Sequence, residues 1–260
     1  MKTTLIRCTL VPAFMFLFTV TAFSETVPVP APPPRPDVVK PAQPQKPLPP
    51  PPPFGPRPGN LAQNVPMVEK VGPGLFRLGD ITINKSAMTV TLPATVNMNK
   101  GLLEYLLVRT GGKTHESLLR TSVDPSHLQV AFLLLGLEGS NRPLARQGDP
   151  ESPQGNLVKI TINLLKDGKM VSLQPESWLA KKIDDKMTDV QPLEWVFTGS
   201  VIRDKRFLAQ LEGSMIAIYH DPIALIDNAS VGGESDKIWF VKEGSVPPVG
   251  TEVLLIISAR

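Results

Sequence analysis

Past residue 60 the chain is a succession of short apolar and β-branched runs separated by turn residues. Ile81–Asn84, Met88–Val96, Leu102–Val108, Leu157–Leu165, Trp195–Ile202, Met215–Tyr219 and Val253–Ile257 alternate or are rich in β-branched residues, as half-buried strands require. Lys166-Asp167-Gly168-Lys169 joins Leu157–Leu165 to Met170–Leu173. Asp-Gly accepts the positive φ of a two-residue turn, so these runs predict a hairpin. Pro247-Pro248-Val249-Gly250 sets up the final strand. One helix stands out at about 125–135: Asp124 fits its N-cap, Pro125 its first turn and Gly136 the position past its end. Leu128, Ala131, Phe132 and Leu135 share one face, and Val130, Leu133 and Leu134 widen the apolar surface until the helix reads as buried on most sides. A shorter helical turn starts at Thr114. The fold class expected is α+β, a mainly antiparallel sheet with one prominent buried helix.

The N-terminal residues follow other rules. Lys2 and Arg7 precede an apolar run from Leu10 to Phe23, and Ala22-Phe23-Ser24 ends in small residues before Glu25. That is the layout of a cleavable secretory signal over residues 1–24. The run is shorter than the ~20 apolar residues of a membrane span and is interrupted by Pro12, Thr19 and Thr21. Residues 25–60 form a proline-rich spacer, holding 16 of the 29 prolines between Pro28 and Pro58. Proline fixes φ and removes the N–H donor, so this stretch predicts an extended stalk. A single globular domain is expected over 61–260. The mature chain is then exported, to a periplasm or beyond the cell, with no transmembrane segment after cleavage.

Composition narrows the chemistry. The one cysteine, Cys8, lies inside the signal. Cleavage leaves no thiol for disulfides, Cys-ligated zinc, iron–sulfur clusters or thiol catalysis. The formal charge of +3 belongs to the signal and spacer, since residues from Gly59 onward carry 21 Lys+Arg against 22 Asp+Glu. Such a balance gives no sign of the basic footprint that nucleic-acid binding needs.

The densest polar stretch is Gly111-Gly112-Lys113-Thr114-His115-Glu116-Ser117. Its Gly-Lys-Thr resembles the end of a phosphate loop, but that pattern needs a Gly where Leu107 stands. His115-Glu116 invites comparison with a zinc protease, yet the second His at i+4 is replaced by Leu119. His127 is the next imidazole, and His115, Glu116 and His127 together form a candidate zinc set. Ser117 with His115 or His127, and Asp124 or Glu116, is a candidate nucleophilic set lacking a G-x-S-x-G elbow. The competing reading is structural: Thr114 caps a turn, Glu116 complements its N-terminus, His115 bonds to backbone, and His127 is a first-turn residue of the capped helix bonded to a neighbouring strand. Trp195 and Trp239 lie in strand-like runs and read as core.

These segments together resemble the YdjY-like domain family of exported bacterial proteins, from about Leu102 to Ile257. The resemblance rests on Leu106-Leu107-Val108, Gly112 through Leu119, Leu128 through Gly136, Trp195 through Ser200, Glu212-Gly213 and Val246 through Thr251. It implies an exported domain without an assigned activity. A ferredoxin-type label carried by some members does not transfer to a mature chain without cysteine. The sequence therefore predicts a non-enzymatic cell-envelope domain on a proline-rich stalk, without a cofactor, binding a protein, glycan or small ligand. The alternative is a metal-dependent or Ser/His envelope hydrolase centred on His115, Glu116, Ser117 and His127.

Overall fold

The computed structural model describes residues 67–260; the signal and proline-rich spacer expected at 1–24 and 25–60 lie outside the described residues. Strands β1 (Glu69–Gly72), β2 (Leu75–Leu78), β3 (Ile81–Asn84) and β4 (Thr89–Val96) form an antiparallel meander. Then come β5 (Tyr105–Arg109), β6 (Ser117–Thr121), helix α1 (Pro125–Leu134), β7 (Asn156–Lys166), β8 (Lys169–Leu173), β9 (Leu179–Ile183), β10 (Lys186–Asp189) and β11 (Trp195–Phe197). The two-residue strands β12 (Ile202–Arg203) and β13 (Arg206–Phe207) precede a short helix α2 (Leu208–Glu212). Strands β14 (Ser214–Ala217), β15 (Ile226–Asn228), β16 (Trp239–Val241) and β17 (Glu252–Ala259) complete the chain.

One sheet dominates. Its path runs β4–β17–β7–β11–β15–β14–β5–β6 and returns to β4 through Thr95↔Arg120 and Val96↔Leu119, closing an eight-stranded barrel. Strands β1–β3 extend this sheet beyond β4, β8 pairs the far half of β7, and β10–β9–β16 form a separate small sheet. Alternation fills the interior: Val90, Leu92, Ala94 and Val96 of β4, Val253, Leu255 and Ile257 of β17, and Val158, Ile160 and Ile162 of β7 are buried in one core. Leu128, Ala131 and Phe132 of α1 join that core, and the Phe132 and Phe197 ring centroids are 4.7 Å apart. No helix among the described residues is long and apolar enough to cross a membrane.

The barrel overturns the expected α+β class with a prominent buried helix. Helix α1 is where the caps place it, but Val130 and Leu133 are 40% and 50% exposed, so it covers the core with one face only. Asp124 sits at the N-cap with no capping bond from its side chain. Its carboxylate instead pairs with Arg109 at 2.9 Å and accepts from Gln210 Nε2 at 3.0 Å. Strands β5 and β14 fall where the runs Leu102–Val108 and Met215–Tyr219 predict strands, although Tyr105–Val108 and Ser214–Ala217 are continuously buried. Both faces of these strands are covered, which erases the two-residue period that marks a strand.

Two neighbouring pairs in the barrel are parallel, β5 with β6 and β14 with β15. Parallel neighbours ordinarily need a crossover of a dozen or more residues. Here residues 110–116 and 218–225 make the return. The first is tight enough that a side-chain carbon at Gly112 would stand 2.9 Å from the Glu212 carbonyl oxygen. The Gly-Gly-Lys-Thr segment is thus a strand-to-strand return. Between α1 and β7, residues 138–155 cross the barrel exterior as a strap without helix or strand. Segments of that length lacking regular structure are uncommon in compact domains.

Candidate functional site: a polar cluster at one end of β5

Strand order decides which polar groups meet. Tyr105 opens β5 and pairs with Ser117 of β6 on one side and Ala217 of β14 on the other. The first return therefore ends, and the second begins, beside Tyr105, bringing Lys113 from the first and Asp221 from the second. The Tyr105 hydroxyl donates to Asp221 Oδ2 at 2.7 Å and accepts from Lys113 Nζ at 2.6 Å. Lys113 Nζ also stands 3.7 Å from Asp221 Oδ2. The strap adds Gln147, whose Nε2 donates to Glu104 Oε2 at 3.2 Å and to the Tyr105 oxygen at 3.3 Å. Tyr105 and Asp221 are buried, while Glu104 and Lys113 are partly open.

Burial sets the electrostatics. Removal from water, reinforced by the Asp221 carboxylate, pushes the Tyr105 phenol far above its ordinary range, so it is held as a hydrogen-bond donor. Glu104 is raised by burial and then by Glu116. Asp227, fully buried on β15, is raised well above the carboxylate range by desolvation, although the N–H groups of Asp221 and Asn228 donate to its two oxygens. Asp149 of the strap is lowered, chiefly by the N–H of Glu151.

The sequence candidates divide between two places. His115 and Glu116 occupy a 3₁₀ turn (Thr114–Glu116) at this cluster, with His115 Nε2 3.3 Å from Glu116 Oε2. The His115 side chain is largely exposed. Asn97 Nδ2 fixes the turn by donating to the carbonyls of Thr114 and Ser117 at 2.6 and 2.7 Å. Ser117 is buried, and its hydroxyl donates to the Lys113 carbonyl at 2.6 Å. His127 lies past the other end of β6, its Nδ1 facing Gly79 between β2 and β3. Five residues of strand separate the two ends of β6, roughly 13 Å along the axis. His115 and Glu116 are thus brought together, and His127 is not brought to them. Among the described residues no group of three or more His, Asp or Glu is arranged to hold a metal ion.

His220, the third histidine, sits in the β14–β15 return and is 2% exposed. Its Nδ1 is 2.7 Å from the Asp149 carbonyl on the strap, and its Nε2 is 2.9 Å from the Asn228 carbonyl of β15. Sequence reasoning passed over it, along with Tyr105, Asp221 and Asp227. The available signal was the polar group Tyr219-His220-Asp221-Pro222 breaking two apolar runs.

A second feature lies on the barrel exterior. Strand β7 pairs β17 only as far as Leu254↔Asn163, whereas β17 continues along β4 to Glu252↔Thr95. The two strands fork there, and a groove of about 540 Å³ opens. Leu165, Met170 and Leu254 line it and are 67%, 61% and 41% exposed. Pairing of Lys166 with Lys169 across the two-residue turn makes that pair mutually hydrogen-bonded, so the main-chain groups of Leu165 point away from β8 and toward β17. Leu165 and Glu252 thus face each other across the fork outside the β7–β17 ladder.

Comparison with protein families matches the YdjY domain model over residues 81–258. The chain belongs to the YdjY domain family. The matched span takes in the barrel strands, short only of Ala259 at the end of β17, and the whole polar cluster, and it begins earlier than the resemblance read from Leu102. The β3–β4 hairpin is therefore part of the YdjY domain. No curated protein and no solved structure matches the chain.

Proposed function

We propose that this YdjY-family chain is an exported, non-enzymatic binding domain of the cell envelope, carried on its proline-rich segment. Its ligand on this reading is an extended segment of a partner polypeptide, taken into the fork between β7 and β17. The supporting observation is the convergence of Leu165, Met170 and Leu254 on a groove where the main chain of Leu165 and Glu252 lies outside the β7–β17 ladder. Main-chain pairing supplies affinity in strand addition, and pockets for alternate side chains supply selectivity. The volume is within the ~300–1,000 Å³ of ordinary ligand sites. Ser117 supports the same reading, since its hydroxyl is buried and committed to the Lys113 carbonyl. Signal-like and proline-rich N-terminal residues supply the export and stalk parts of the proposal.

The test is selection from a displayed library of extended peptides, followed by NMR titration of the selected peptide. Ligands should shift the amides of Leu165 and Glu252 and lose about tenfold or more in affinity against Leu165→Asp/Met170→Asp, which places charge on the apolar floor. Selected peptides that bind elsewhere, or bind the double variant equally well, would remove the proposal.

A further inference from the structure

We propose that His220 is a proton-operated latch holding the 138–155 strap against the barrel. Both of its ring nitrogens face main-chain carbonyl oxygens, Asp149 O at 2.7 Å and Asn228 O at 2.9 Å. Carbonyl oxygens only accept, and a neutral imidazole has a single N–H to donate. The observed pair of contacts needs a proton on each nitrogen. With one proton, a ring lone pair confronts a carbonyl oxygen in a site that is 2% exposed, where water cannot repair the contact.

The neighbouring architecture commits His220 to this position. Its own N–H donates to the Gly233 carbonyl at 2.7 Å, and its carbonyl accepts from Gly148 N of the strap at 2.9 Å. A side chain at Gly233 would overlap the imidazole, so the ring is pressed directly against backbone there. Titratable groups lie on the segments next to it. The strap contributes Asp149 and Arg146, the return its neighbour Asp221, and β15 contributes Asp227. The Asp149 carboxylate accepts from the N–H groups of Ala145 and Glu151, keeping its segment folded over the ring. Beneath the strap lie Asp227 and the Tyr105 cluster, and Gln147 ties the strap to that cluster. Loss of the second ring proton releases Asp149 or Asn228 and loosens the cover over those groups. The direction follows: the strap is latched at lower pH and freed as pH rises. This device is independent of the fork groove.

Two measurements on the full chain test it. NMR of the imidazole nitrogens should show two ring N–H protons on His220 at mildly acidic pH, with His115 and His127 as internal comparisons. Amide exchange at Gly148, corrected for the intrinsic rate, should lose protection relative to barrel amides such as Leu255 between pH 6 and 8. The loss expected is roughly fivefold or more, the effect of one buried hydrogen bond. His220→Gln, which keeps a single donating group, should flatten this dependence. A single ring proton on His220 at every pH from 5 to 8, or an unchanged pH dependence in His220→Gln, would overturn the proposal. The imidazole measurement needs no variant and decides the matter even where the substitution prevents folding.

Discussion

Tyr105 and Asp221 are 116 residues apart in sequence and meet at 2.7 Å, the phenol donating to Oδ2. Lys113 donates to the same phenol oxygen at 2.6 Å, so the hydroxyl relays between an ammonium and a buried carboxylate. Three separate segments are fastened at one atom. Tyr105→Phe removes that atom while keeping the ring's volume, and leaves Asp221 with Lys113 at 3.7 Å and the N–H of Ile223. We expect a loss of about 1–3 kcal/mol, the cost of leaving a buried polar partner short of a donor. Denaturant unfolding of Tyr105→Phe, Asp221→Asn and the double variant should give non-additive losses. Additive losses would mean the three groups act separately.

Phe132 and Leu133 are adjacent on α1 and opposite in environment. Phe132 is 1% exposed with its ring tilted against that of Phe197, whereas Leu133 is 50% exposed. Phe132→Ala should cost about 3–5 kcal/mol through lost transfer energy and the cavity left behind. Leu133→Ala should stay within about 0.5 kcal/mol, as a surface change. Comparable effects would contradict the one-sided burial of the helix.

Asp124 joins α1 to its surroundings through Arg109 and Gln210. The Arg109 pair is partly exposed at both ends. Asp124→Ala should cost no more than ~1 kcal/mol, and most of that loss should reappear in Arg109→Ala. A double-mutant cycle without coupling would return the residue to an ordinary capping role.

Asp149 has its acidity strengthened by the N–H of Glu151 and then of Ala145. A carboxyl lowered in the folded state stabilises it above the unfolded value, near 3.9, and loses that effect as pH falls through the folded value. Asp149→Asn should therefore lower Tm at pH 7 and have a shrinking effect as pH falls below the unfolded value. Asp227 has the opposite sign, because burial raises it. Its protonated form favours the fold at acid pH, and that contribution fades as pH rises through its raised value. A Tm difference between Asp149→Asn and wild type that stays constant from pH 2 to 7 would refute the assignment for Asp149.

Gly112 lies against backbone, where a side-chain carbon would stand 2.9 Å from Glu212 O and 3.1 Å from Arg109 O. Carbonyl groups in a strand return cannot swing aside as a flexible side chain can. Gly112→Ala should lose roughly 1–3 kcal/mol, as overpacking does elsewhere. Gly168→Ala, with open space around it but a positive φ of 73°, should lose less. Equal melting points for Gly112→Ala and wild type would show that the return is looser than the geometry states.

The sequence by itself determined the local elements. Asp167-Gly168 wrote the β7–β8 turn, with both residues at positive φ. Alternation wrote β3, β4, β7 and β17 to within a residue or two, and Asp124, Pro125 and Gly136 framed α1. Spacing also separated His115 from the i+4 partner that would have placed two imidazoles on one helical face. These features depend on backbone preferences and on neighbours a few residues away. Tertiary structure decided the rest. Barrel closure rests on two residue pairs between β4 and β6, and no local pattern encodes a pairing between distant strands. The Tyr105–Lys113–Asp221 junction exists because one short return ends and the other begins beside Tyr105. His220 drew no notice as a lone histidine in the sequence, and only the fold set both its nitrogens against carbonyl oxygens. Hydrophobic burial is non-directional, so apolar pattern tells a chain what to hide, while strand pairing across the closed sheet decides which polar groups are hidden together.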